Sequence, residues 1–330
     1  MDRRRRAGHR ALPGPRGRRH HVQRYAPPHT PPGRRVRRGG AGLRDLAGAL
    51  AYLAPSLVVF AVFVFYPLVK NAQLSLYETS PLGDLRVFVG AGQYAQLLRD
   101  PAFLNSLRVS FLFALYTVPA GIVLGLPLAL LANRRIRGIT AYRTAYSFTI
   151  AVSIAAAALI WEWLLDPNVG VLNYLLGLVH VPKVGWLTDP RWALPAVAAT
   201  TVWKDLGFNV VVLLAGLQGV PDELVEAARI DGAGPRAVFC HVVIPAISPA
   251  LFFLAVAATI GVLQSFGQVN ILTQGGPVGA TNVIVYSIYR NAFFNFRFGL
   301  AAAQAMLLFM LVLVLTGLQF TVFERWVTYQ

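Results

Sequence analysis

Six apolar runs, each long enough to cross a bilayer, constrain what this 330-residue chain can become: residues 46–69, 109–133, 144–164, 193–217, 247–270 and 299–322. A membrane-crossing helix needs about 20 predominantly apolar residues, and in hydrocarbon a backbone must satisfy its own N–H and C=O groups. The runs therefore predict an all-α, polytopic membrane protein with six transmembrane helices. Composition agrees, with 56% hydrophobic and 13% charged residues against about 25% charged in soluble domains. The fourth run is impure, because Lys204 and Asp205 fall about halfway along it. Ionisable groups at that depth are expensive unless they face a cavity or one another, which makes this interior a candidate site.

The net charge of +16 suggests nucleic acid until its distribution is examined. Residues 1–45 hold 14 of the 30 basic residues and 2 of the 14 acidic ones, so most of the excess lies in one tail. That tail is rich in Pro, Gly and Arg and lacks apolar periodicity, so it is expected to be a disordered cytoplasmic extension. No specific nucleic-acid partner is implied, and membrane lipid is the natural surround of the rest, residues 46–330. The polar stretch before the first run is too long, and the run itself too long, for a cleavable signal peptide. With a cytoplasmic tail, six spans put both termini in the cytoplasm, and residues 134–143, 218–246 and 323–330 become the inner segments. These 47 residues carry 7 Lys/Arg against 8 in the 95 residues of the outer connections, as the positive-inside rule requires. The basic run "NRRIRG" from Asn133 to Gly138 is the strongest local anchor. Cys240, the single cysteine, can form no internal disulfide, and no Cys/His group has metal-ligand spacing.

The outer connections contain amphipathic stretches. In "AGQYAQLLRDPAFLNSLR", Leu97, Leu98, Phe103 and Leu107 are spaced for one helix face, expected at the outer membrane surface.

The inner connection 218–246 is the only one long enough to fold, and four of the fourteen acidic residues fall between Asp222 and Asp231. Pro221, Asp222 and Glu223 suit a helix first turn, where a missing N–H is harmless and negative charge complements the dipole. Leu224, Ala227, Ala228 and Asp231 follow on one side, with Glu226 and Arg229 three apart on another. Gly232 and Gly234 then stop the helix and Pro235 starts a second. A helix, a glycine turn and a helix with small alanines project from the membrane, either as a plain connection or for insertion into a partner's groove.

The stretch "EAARIDGAGPRAVFCHVVIP" (Glu226 to Pro245) resembles the EAA motif of permease subunits in binding-protein-dependent ABC importers. Glu226, Ala227, Ala228, Asp231, Gly232, Ala233, Phe239 and Pro245 match that pattern, with Val242 and Ile244 as conservative departures. The likeness extends over about residues 46–330, through "IWEWLLDPNVGVLN", "VWKDLGFNVVVLLAGLQGVPDELVEAARIDGAG" and "GGPVGATNVIVYSIYRNAF", toward the carbohydrate-uptake group. The closing "LQFTVFERWVTYQ" is similar to glycerol-3-phosphate permease subunits in particular.

The resemblance implies the ABC type I importer fold and a bacterial cytoplasmic membrane location. It implies a sugar, oligosaccharide or glycerol-phosphate substrate. It also implies a second, homologous permease subunit, a pair of cytoplasmic ATPases and an extracytoplasmic solute-binding protein. The chain has no GxxxxGK[ST] loop, so ATP-Mg is expected on the ATPase partner and no cofactor on this chain, which is a transport subunit and not an enzyme. By that likeness the ATPase-coupling residues are Glu223, Glu226, Ala227, Ala228, Asp231, Gly232, Ala233 and Pro245.

Candidate substrate-path residues are Trp203, Lys204 and Asn209 in the fourth span, beside Asp205, and Gln264, Ser265, Gln268 and Asn270 in the fifth. Aromatic faces and amides suit a sugar's apolar face and hydroxyls. Lys204 suits either an anionic substrate group or an interhelical ion pair. The rival reading is a secondary transporter or channel driven by an ion gradient, which would need titratable relays inside the spans. Beyond Lys204 and Asp205 the spans have almost none, and no His/Asp/Glu constellation suggests a membrane-embedded enzyme. Deleting residues 1–40 should leave uptake by correctly inserted protein unchanged, as measured in a transport assay.

Overall fold

The computed structural model describes residues 43–134 and 137–323. Most of the Arg/Pro-rich tail, two residues of "NRRIRG" and the last seven residues therefore lie outside the described residues. Chain contacts divide the protein between Leu57 and Val58. In the first unit α1 (Leu43–Phe60) begins, with the Ser56 hydroxyl donating to the Leu53 carbonyl at 2.8 Å.

The second unit starts with the end of α1, a π-helical turn at Ala61–Phe65 and α2 (Tyr66–Leu74). Every residue from Val58 to Phe65 is exposed, as suits a surface meant for lipid or another chain. A small antiparallel hairpin follows, β1 (Tyr77–Thr79) with β2 (Leu85–Phe88), pairing Tyr77 with Phe88. It adds the only strands among the described residues to the expected helices. Next come α3 (Gly92–Leu97) and α4 (Pro101–Ala132). The amphipathic stretch 91–108 is thus two helices and not one, because the Asp100 carboxylate caps α4 by accepting from Ala102 N–H at 3.0 Å and Pro101 cannot continue α3. Leu97 and Phe103 are buried whereas Leu98 is exposed.

Residues 144–164, expected as one straight span, are broken. The helix α5 (Ile139–Ala151) meets α6 (Ile154–Leu164) at 102°. Val152 and Ser153 are extended, and the Ser153 hydroxyl accepts from Ala156 N–H at 3.1 Å, so an N-cap hidden inside an apolar run starts a new helix. After α7 (Val171–Leu178), the connection is tied to buried Asn173, whose amide bonds Pro167, Val184 and Trp186. In the turn before α7 the Asp166 carboxylate accepts from the N–H groups of Val169 and Asn168, which hold its pKa below the usual value.

The most extensive contact between two helices is that of α4 with α8 (Pro190–Gln218). Beyond α8 stand α9 (Asp222–Ile230) and α10 (Pro235–Val238), which continues through a π-helical turn at Phe239–Val243 into α11 (Ile244–Ala246). The expected fifth span, 247–270, is also interrupted. The helix α12 (Ser248–Leu263) is bent 63° from Pro235–Ala246, where Pro249 removes a backbone donor. It stops at Gln264, and α13 (Gly267–Leu272) restarts after it. The remaining helices are α14 (Ile284–Tyr289), a π-helical turn at Arg290–Phe294 and α15 (Phe298–Phe323). Among the described residues, four helical stretches are long and apolar enough to cross a membrane, or six if each bent pair is one span.

Small residues let these helices approach. The side chain of Asn209 packs where Gly121 has no Cβ, and Gly125 admits Asn209 and Leu213. At Gly207 a Cβ would run into the Tyr146 carbonyl and the Thr149 hydroxyl of α5, and the Gly207 N–H donates to that hydroxyl at 3.1 Å. A Gly207→Val substitution should therefore wedge α5 from α8 at a cost of about 1–3 kcal/mol. The expected readout is a lowered thermal unfolding midpoint of the purified protein in detergent.

Candidate functional site

Two features gather the residues singled out in the sequence. The first is the hairpin α9–turn–α10. Pro221 occupies the N-cap position, and Asp222 and Glu223 form an acidic first turn. The C-terminus closes as a Schellman turn: Ala233 N–H donates to Ala228 O at 2.9 Å and Gly232 N–H to Arg229 O at 3.0 Å. Gly232 has φ +83°, the left-handed conformation such a turn requires. Among the described residues no atom lies within 4 Å of a Cβ built there, so the cost of a Cβ is that of the left-handed conformation. No residue of α9 is buried. Glu223, Glu226, Ala227 and Asp231 are exposed, Ala228 and Ala233 are half-buried, and Ile230 is 86% exposed. Pro245 lies in α11, half-buried and beyond the hairpin proper.

The second feature is a cavity of about 560 Å³ lined by Lys204 and Asp205 of α8, by Gln264, Ser265 and Gln268 at the α12/α13 break, and by Ile154 and Ala155 at the start of α6. The two helix breaks meet here, since a Cβ on Gly267 would strike the side chain of Ile154. Residues 264–266, expected within a continuous helix, thus form an interruption, and Gln264 and Ser265 from it and Gln268 from the first turn of α13 line the cavity. The Ser265 hydroxyl donates to Gln268 Oε1 at 3.2 Å.

The other candidates lie elsewhere. Trp203 is half-buried, packs edge-on against Trp161 with centroids 5.8 Å apart, and lines a separate cleft with Tyr116 and Leu124. Asn270 stands on α13 and is not among the residues lining that cavity. Asn209 lines a second cavity of about 210 Å³ between α4, α8 and α12, with Thr117, Thr201 and Asp205. Thr117 and Thr201 carry no charge and escaped sequence reasoning. The available signal was the spacing of Thr201, Asp205 and Asn209, four residues apart and so on one face of α8.

The chain can be compared with known proteins. Residues 118–329 match the family described as "Binding-protein-dependent transport system inner membrane component". A probable ABC transporter permease protein of Pyrococcus horikoshii is 36% identical over 276 residues, covering 82% of this chain and 94% of the relative. The sn-glycerol-3-phosphate transport system permease protein UgpA of Agrobacterium fabrum is 35% identical over 286 residues, covering 85% of this chain and 96% of the relative. Among solved structures, a chain of a bacterial ABC transporter involved in import of the acidic polysaccharide alginate superposes with a TM-score of 0.75 at 23% identity, covering 86% of this chain and 96% of that one. A chain of a bacterial alginate ABC transporter solved in complex with an alginate pentasaccharide-bound periplasmic protein gives a TM-score of 0.74 at 23% identity, covering 86% of this chain and 95% of that one. This chain is a multi-pass membrane permease with the type I importer fold, and it belongs to the family of inner membrane components of binding-protein-dependent transport systems.

Proposed function

We propose that this permease forms half of the translocation path of an ATP-driven importer for a sugar, oligosaccharide or glycerol-phosphate compound. A second, related permease supplies the other half. The relatives named for sn-glycerol-3-phosphate transport support the substrate range. The observation that carries the coupling mechanism is the α9–α10 hairpin: an amphipathic helix with no buried residue, ended by a rigid glycine turn and joined through α10 and α11 to α12.

An exposed, rigid helix is what a surface groove on a cytoplasmic ATPase can grip. When a pair of such ATPases closes around ATP-Mg, the docked hairpin moves as a lever and displaces α12. Because α12 ends at Gln264, that movement reaches the rim of the Lys204/Asp205 cavity. Glu223, Glu226, Ala227, Ala228, Asp231, Gly232 and Ala233 form the contact, and Pro245 positions the return helix. This reading places the hairpin and both termini in the cytoplasm. A separate solute-binding protein delivers substrate on the other side. Lys204, Gln264, Ser265 and Gln268 line the path for substrate hydroxyls, while Trp203, Asn209 and Asn270 shape the helices around it.

Reconstituted in proteoliposomes with its partner subunits, the protein should transport only with ATPase and ATP. Uptake by this chain alone, driven by an ion gradient, would contradict the proposal. Gly232→Val forces a β-branched residue into a left-handed conformation at a cost of about 1–3 kcal/mol. Glu226→Lys reverses a charge on the exposed face of α9. Each should weaken ATPase association about tenfold, roughly 1.4 kcal/mol, with membrane insertion intact, as read by co-purification and transport-linked ATP turnover.

A further inference from the structure

Asp205 lines both cavities, standing between the larger one that holds Lys204 and the smaller one that holds Thr117 and Asn209. Among the described residues neither Lys204 nor Asp205 forms a hydrogen bond or a close ion pair, and the neighbouring Lys204 charge is the one that acts on the Asp205 carboxylate. Adjacent positions on a helix diverge by about 100°, so the two side chains leave α8 in different directions although both line the same cavity. Lys204 is the one cationic side chain lining the larger cavity and Asp205 the one anionic side chain; the polar remainder is Thr201, Gln264, Ser265 and Gln268. No cationic side chain lines the smaller cavity, where Asn209 is 5% exposed and its amide has no partner among the described residues.

We propose that Asp205 sets the charge preference of the path, so that it favours uncharged polyhydroxy compounds and disfavours phosphate esters. This rests on the reading of the larger cavity as part of the translocation path. Lys204 alone would attract an anion, and Asp205 facing the same space offsets that attraction. What remains to select the substrate is a set of neutral amides and hydroxyls, each able to donate and accept, matching hydroxyl groups that do the same. Phosphate sites are typically built from bidentate arginines, and none lines either cavity, or from backbone N–H groups at a helix N-terminus; α6 begins at the larger cavity, where the Ser153 hydroxyl already accepts the Ala156 N–H. A phosphate monoester would shed hydration beside the Asp205 carboxylate, where salt screens weakly.

The test compares the complete importer carrying wild-type chain, Asp205→Asn or Asp205→Glu, in nanodiscs, for equilibrium binding of radiolabelled sn-glycerol 3-phosphate without the binding protein. Asp205→Asn should bind this probe about tenfold more tightly than wild type, the effect of removing one like charge across a solvated cavity. Asp205→Glu should behave as wild type. Equal affinities in wild type and Asp205→Asn, or no detectable binding by either, would overturn the role of Asp205. A Gln268→Trp variant, which fills the larger cavity, tells that failure from failure of the path itself. If ATP hydrolysis stimulated by the binding protein continues undisturbed in Gln268→Trp, the cavity is not on the path. If the block stops hydrolysis while the two affinities are equal, the path stands and only the charge preference falls.

Discussion

Backbone hydrogen bonding governs this protein more than any side-chain contact. A chain that places most of its length in apolar helices must satisfy each N–H and C=O within the helix or against a protein neighbour. Each interruption is therefore confined to a place where a partner waits. At Val152–Ser153 the Ser153 hydroxyl accepts the Ala156 N–H, and at Gln264–Phe266 the N–H groups of Gln264 and Ser265 reach Ile260 and Val262. The two interruptions sit together, with Gly267 against Ile154, and open one cavity. Irregular backbone inside apolar segments is tolerated where it lines a cavity, and that is where it is found here.

The same constraint explains the division of labour along the chain. The α4–α8 pair is uninterrupted, joined through Gly121 and Gly125 on one side and Gly207 against α5 on another, and provides the fixed wall. The elements to which the proposed coupling is assigned are short and broken. From α9 to α13 no helix exceeds the 16 residues of α12, and proline or glycine punctuates the joints. Short rigid pieces joined at bends can transmit a push at the α9–α10 hairpin to the cavity without unravelling a long helix. The left-handed Gly232 is what keeps that hairpin a fixed shape: it lets Ala233 and its own N–H satisfy the last carbonyls of α9.

Much of the hairpin was legible in its residues, because capping and glycine stops are local. Acidic residues in the first turn, Gly232 at the end and Pro235 at the restart each act within four residues of their own position. The membrane-spanning character was equally local, being a matter of apolar run length. The breaks were not legible. Ser153 lies in "FTIAVSIAAAALIW" and Gln264 in "IGVLQSFGQV", both apolar enough to read as continuous helix. Grouping the polar residues required three dimensions as well. Lys204 and Gln264 share a cavity, Asn209 belongs to another, and Trp203 turns to Trp161.

The sequence by itself determined that the chain spans a membrane, where its charged tail and hairpin lie along it, and how that hairpin caps its helix. These follow from composition and from interactions between residues a turn apart. Only the tertiary structure decided that two apolar segments are broken, that the breaks at Val152–Ser153 and Gln264–Phe266 meet, and that Asp205 stands between two cavities. Those outcomes depend on which distant backbone and side-chain groups are present to satisfy a freed N–H or to wall the space around a carboxylate, and no local pattern records them.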